Sequence, residues 1–166
     1  MQIRRLEKED LKYANELRNK YIDFLRQVYP HNLKQQETWF NITADIYWVV
    51  YEYIEGYLSK DDYDLLCIIG LTNVNLKDKN AELSLITQDY LIKEYADFAL
   101  DFVEKYAFEK LSLNKLYITV FEWDEKKIGY FKNRYTLECF LREDVIYKGK
   151  YYNHYYYSKL AKEYFK

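Results

Sequence analysis

The apolar residues Tyr95, Phe98, Ala99, Phe102, Val103, Tyr106, Ala107 and Leu111 recur at helical spacing from Ile92 to about Leu111, and this period constrains the fold more than any other feature of the chain. Just ahead of it AELSLIT alternates as a strand does, and only a short polar turn separates the two. A strand that feeds a helix through a tight turn is a common phosphate-binding place, because the first N–H groups of a helix lack partners within it. Residues 81–111 contain no glycine, so a phosphate held there must approach a backbone that carries side chains.

The pattern on both sides is equally readable. MQIRRL alternates, and EKEDLKYANELRNKYIDFL sets Leu11, Ala14, Leu17, Ile22 and Leu25 roughly on one helical face. After Pro30, Asn32 is suited to cap a second helix, with Gln35 or Gln36 in its first turn and Trp39 and Phe40 facing inward. IYWVVYEY, YDLLCIIGLTNVN and AELSLIT read as three strands of an antiparallel meander, linked around Gly56 and across LKDKN. Beyond the long helix, KLYITVF reads as a buried strand, DEKKIGYFKNR as a short helix, and TLECFLREDVIYKGKYYNHYYYSKL as a hairpin turning near YKGK. The expected order is strand, two helices, three strands, helix, strand, helix, two strands. With no repeat or linker to divide it, this is one mixed α/β domain over residues 1–166, of the α+β kind: a single, mostly antiparallel sheet flanked by helices.

Composition excludes several functions. The 166 residues are 49% hydrophobic, enough for a core without disulfides or metal. Lys plus Arg total 25 against 27 Asp plus Glu, a net charge of -2, which argues against a nucleic-acid partner. Cys67 and Cys139 lie far apart in apolar segments and read as buried thiols; neither they nor His31 and His154 form a metal-ligand spacing. The first residues lack an apolar signal core and no stretch reaches membrane-spanning length, so a cytoplasmic protein that makes no membrane contact is expected.

YAFEKLSLNKLYITVFEWDEKKIGYFKNRYTLECFLREDVIYKGKYYNH resembles the C-terminal half of the GCN5-related N-acetyltransferases. IRRLEKEDLKYANELRN resembles their opening strand and helix, QQETWF their second helix, and AELSLIT the fourth strand that lines the cofactor cleft. Within the family the chain looks closest to the branch of ribosomal-protein alanine and nonulosonic-sugar acetyltransferases. The resemblance implies transfer of an acetyl group from acetyl-CoA to a primary amine of a small molecule or a protein N-terminus. Leu83, Leu85, Ile86 and Thr87 occupy the strand positions along which pantetheine runs, offering mainly backbone groups. LIKEYA matches the pyrophosphate turn, with Leu91, Lys93 and Tyr95 within it, Glu94 at the first glycine position and Ala96 at the second. Glu94 projects a negative side chain where glycine permits close approach, while Lys93 adds positive charge.

The family places an asparagine after its fifth strand and a proton-donating tyrosine seven residues later; here these are Asp124 and Phe131, and Phe131 cannot protonate a leaving thiolate. Tyr135 replaces a glycine near the end of the same helix. Glu82 matches a glutamate that draws the acceptor's proton away through water, and a backbone N–H near Leu85 or Ile86 would stabilise the oxyanion in a direct transfer. Arg18 and Asn19 look like the branch's short motif at the end of the first helix, with Arg18 either orienting the acceptor pocket or facing solvent. Trp39 and Tyr47 border the acceptor side in this reading, or pack in the core. His154, in the last strand, is a proton acceptor near that cleft or an ordinary surface histidine. Two functions stay open: an N-acetyltransferase, or a protein of the same fold relaxed from catalysis into a binding or regulatory module. The sequence also allows a homodimer formed through exposed strand or helix surface.

Overall fold

The computed structural model describes residues 1–25, 29–43, 46–53, 63–89 and 92–166. Strand β1 (Gln2–Arg5) leads through a 3-10 turn at Lys8–Asp10 into α1 (Leu11–Lys20), and a further 3-10 turn at Ile22–Phe24 precedes α2 (Leu33–Thr43). Asn32 closes the expected capping box with Gln35: its Oδ1 accepts from Gln35 N at 3.0 Å, and its N–H donates to Gln35 Oε1 at 2.9 Å. Strands β2 (Tyr47–Tyr53), β3 (Tyr63–Asn75) and β4 (Asn80–Thr87) follow, then α3 (Lys93–Lys105), which ends in a π-helical turn at Tyr106–Lys110. The rest is β5 (Lys115–Phe121), α4 (Glu125–Phe131), β6 (Thr136–Tyr147), β7 (Lys150–Leu160) and a short α5 (Ala161–Tyr164). The link around Gly56 and the position of Leu91 lie outside the described residues.

The strands form a sheet of order β1-β2-β3-β4-β5-β7-β6. Its β1/β2, β2/β3, β5/β7 and β6/β7 pairs are antiparallel and its β4/β5 pair is parallel, so the sheet is mixed and mostly antiparallel, as expected. By internal contacts the chain divides into two compact units, Met1–Gly70 with Ser84–Asp101, and Leu71–Leu83 with Phe102–Lys166.

In the first unit, Leu11, Ala14 and Leu17 of α1 pack with Leu6, Tyr47, Val49, Tyr51 and Ile68, and Trp39 and Phe40 of α2 close over this core. Asp10 is buried, yet its carboxylate accepts from Arg4 at 2.7 and 2.9 Å and from Glu7 N at 2.8 Å. That set of donors lets a carboxylate sit at the start of α1 without an unpaired charge.

In the second unit, Leu116, Ile118 and Val120 bury one face of β5. Glu104, also buried, accepts from Lys159 Nζ at 2.8 and 2.9 Å. The β6/β7 hairpin turns at Lys148 and Gly149, both with positive φ (48° and 77°), as YKGK foretells. Cys67 is buried, but Cys139 is exposed, contrary to the reading of both as buried thiols. Apolar content marked its segment as inward, whereas β6 is a sheet edge with nearly every residue exposed. Among the described residues no helix is long and apolar enough to cross a membrane.

Candidate active site

Alternation along β4 buries Ala81 and Leu83 and leaves Glu82 on the opposite, half-buried face of the second unit. There its carboxylate is fixed at both oxygens: Asn73 Nδ2 donates to Oε2 at 2.8 Å and Thr119 Oγ1 donates to Oε1 at 3.0 Å. Asn73 adopts a left-handed φ of 50°, a conformation that asparagine tolerates better than most residues. Two neutral donors leave the carboxylate free lone pairs and a fixed direction, which suits a proton acceptor. Neither Asn73 nor Thr119 was signalled by sequence, since each comes from a different strand.

Helix α4 brings the next group to the same unit. Asp124 is buried and caps the helix, its Oδ1 accepting from Lys127 N at 3.1 Å. Phe131 is fully buried on the same face and Tyr135 follows one turn later, also buried. Between Asp124 and Phe131 lies Lys127, only 8% exposed, which the sequence pattern does not single out. Burial pushes the Lys127 ammonium below its ordinary range, and the negative charges of Asp124 and Glu82 partly restore it. Its position three residues after Asp124 and four before Phe131 is the signal that could have found it. Burial, reinforced by the nearby Glu104 carboxylate, raises the Tyr135 hydroxyl well above its usual range, so it is no ready proton donor.

Around β5 the parallel register with β4 covers only Asn80↔Lys115, Ala81↔Leu116 and Glu82↔Tyr117, whereas the register with β7 covers all of Lys115–Phe121. His154 pairs with Phe121 across that second register. It is buried, not a surface histidine: Nδ1 lies 3.1 Å from Asp144 Oδ2, and its ring stacks on Phe121 at 5.0 Å. Among the described residues no group of three His, Cys, Asp or Glu side chains is arranged to hold a metal ion.

The remaining sequence candidates belong to the first unit, apart from Leu83. Leu85, Ile86 and Thr87 are buried, and the turn after them is tied to the end of α1 by Tyr21, just past the helix, whose Oη donates to Gln88 O at 2.9 Å. At the start of α3, Lys93 is exposed and engaged with Asp97, Glu94 is exposed, Tyr95 is half-buried and Ala96 is buried. Glu94 therefore directs its charge to solvent, and the small Ala96 side chain faces the interior. Arg18, Trp39 and Tyr47 do come together: the Arg18 guanidinium lies 5.1 Å from the Trp39 ring centroid, and Trp39 meets Tyr47 edge-on at 4.7 Å. Tyr47 is nevertheless a core residue, 3% exposed.

No protein-family model matches the sequence, and no match was found among curated proteins. Solved structures do match. A spermidine N-acetyltransferase from Vibrio cholerae in complex with CoA and spermine has a TM-score of 0.83 and 21% identity, covering 99% of this chain and 98% of that one. The spermidine/spermine N-acetyltransferase from the same organism in complex with manganese ions has a TM-score of 0.74 and 20% identity, over 99% of this chain and 94% of that one. The chain thus has the acyl-CoA N-acyltransferase fold that its sequence resembles.

Proposed function

We propose that the whole chain is one acetyl-CoA-dependent N-acetyltransferase domain that acts on a primary amine by direct transfer. The observation that carries this reading is Glu82, a half-buried carboxylate oriented by Asn73 and Thr119 at the end of the short β4/β5 parallel register. The likeness to acetyltransferases, one of them bound to CoA and spermine, supports the reaction class.

Bound acetyl-CoA supplies the activated acyl group. The first turn of α3 fits a pyrophosphate, because its leading N–H groups have no partners within the helix, Ala96 is small, and Glu94 is turned to solvent. Glu82 takes the proton that the amine must lose before it can attack, directly or through one water. Phe131 holds the place of the family's proton donor but carries no proton, and Lys127 is the buried cation on the same helix face. A direct transfer needs no covalent acetyl-enzyme, and Cys67 is buried with its thiol driven further from ionisation by burial.

The fully buried Phe131 also supports the second reading, a catalytically relaxed binding module. Calorimetric titration with acetyl-CoA, with desulfo-CoA and adenosine diphosphate as controls, separates the two. Saturable binding followed by turnover of an amine is expected; no binding at millimolar ligand would rule out acetyl transfer in its ordinary form.

A further inference from the structure

In the first unit, Gln36 of α2 is 0% exposed, and neither its Oε1 nor its Nε2 has a hydrogen-bond partner. The Nε of Arg18 on α1 is buried and unpartnered as well, as are Asn15 Oδ1 one turn earlier and His31 Nδ1 just ahead of α2. All lie on α1, α2 or the segment between them, and Trp39 relates the two that matter most. Arg18 lies over Trp39, Gln36 precedes Trp39 by one turn on the same side of α2, and Asn19 Nδ2 and Oδ1 each bond the His31 backbone at 2.8 Å. Leaving buried polar atoms unpaired is costly, so several on these two helices and their link mark a place that a ligand or water completes.

Their chemistry selects the ligand. The Arg18 guanidinium is lowered by burial and raised by Tyr47, and among the described residues no carboxylate acts on it. A planar, half-desolvated guanidinium attracts a carboxylate and repels a cationic amine chain. Gln36 adds one donor and one acceptor, and Trp39 an apolar wall.

We propose that Arg18 and Gln36 form a binding site for a carboxylate, and that the amine this protein accepts carries one, as an amino acid does. Naming the ligand an acceptor rests on the acetyl-transfer reading; the carboxylate site itself does not.

The test is calorimetric titration of the full chain with β-alanine and L-glutamate, against propylamine and spermidine, which lack the carboxylate. At least tenfold tighter binding of either carboxylate ligand is expected, lost in Arg18→Gln and reduced about tenfold in Arg18→Lys, which keeps the charge but not the fork. Gln36→Leu should weaken the same ligands while leaving the melting temperature unchanged or higher, since it removes an unpaired buried amide. Equal binding of β-alanine and propylamine, or carboxylate binding that survives Arg18→Gln, overturns the proposal. So does a Gln36→Leu variant that melts lower and binds normally, because the amide is then structural. If carboxylates bind but acetyl-CoA does not, the site stands and the transferase reading falls; if spermidine is acetylated and carboxylates do not bind, the reverse holds.

Discussion

The ring of Tyr47 lies across the backbone of Gly70, its antiparallel partner in β2/β3, so closely that a Cβ on Gly70 would stand 2.5 Å from the ring. Glycine there is a packing requirement: the aromatic ring occupies the space a side chain would take. Gly70→Ala should destabilise the protein by about 1–3 kcal/mol, the usual cost of overpacking a filled core, measured by urea denaturation. Pairing it with Tyr47→Leu should recover part of the loss. Additive effects would show that the two residues are not coupled.

Glu82→Gln keeps the shape and the acceptor for Asn73, with Thr119 Oγ1 turned to accept from the new amide, and on the acetyl-transfer reading it removes the proton acceptor. Turnover is expected to fall about a hundredfold or more, with acetyl-CoA affinity nearly unchanged. Thr119→Val, which deletes one donor to the carboxylate, should lower turnover by a smaller factor without abolishing it, because the base loses part of its fixed direction. A Glu82→Gln enzyme with the parent rate at all pH values removes this residue from the mechanism.

Phe131→Tyr puts a phenol where the family carries its proton donor. Because Phe131 is fully buried, an unpaired hydroxyl costs about 1–3 kcal/mol, so the melting temperature should drop. The rate of acetyl transfer should rise up to about tenfold if protonation of the thiol limits turnover. A less stable variant with no gain in rate would point to another donor, Lys127 foremost.

Glu138 on β6 is held below the usual carboxylate range by hydrogen bonds from Lys115 and Ser158. Lys115 Nζ lies 2.8 Å from Glu138 Oε1 in a pair about a third exposed, 34% and 41%, so solvent screening keeps its contribution under about 1 kcal/mol. A carboxylate whose folded pKa is depressed adds stability above its unfolded value, near 4.3, and loses it as pH falls through the folded value. The melting temperature of the parent should therefore exceed that of Glu138→Gln slightly at pH 7, and the gap should close in the acid range below pH 4. A gap that persists at pH 2.5 would assign the effect to packing.

The fold was legible where apolar spacing and local hydrogen-bond chemistry agree. The α3 stripe, the Asn32–Gln35 capping box and the Lys148–Gly149 turn are all written within a few residues of sequence. The short α5 was missed because the sequence runs from β7 into it without a break. The site was legible only in part. Glu82 was singled out by resemblance, but its donors Asn73 and Thr119 arrive from β3 and β5, and no local pattern links them. His154, open in sequence between a cleft proton acceptor and a surface histidine, is buried, and so are Gln36 and Lys127, for which periodicity gives no inward signal because they are polar. Arg18 was selected, yet the burial of its Nε without a hydrogen-bond partner appears only once the helices are packed.

Strand β6 ends the strand order and is exposed along most of its length, with Phe140 at 48% and Ile146 at 64%. Such a margin is a template on which a foreign strand could zip, residue by residue, toward fibril-like stacking. Here the zip is jammed. The register breaks between Leu141 and Val145, Glu143 turns to a φ of 51° and donates its N–H back to Asn153 Oδ1, and Arg142, Glu143 and Asp144 crowd the break with charge. The register also shifts earlier, between Leu137 and Cys139, so a strand that begins to copy β6 at Thr136 would lose step twice before Val145, which disfavours edge-to-edge stacking.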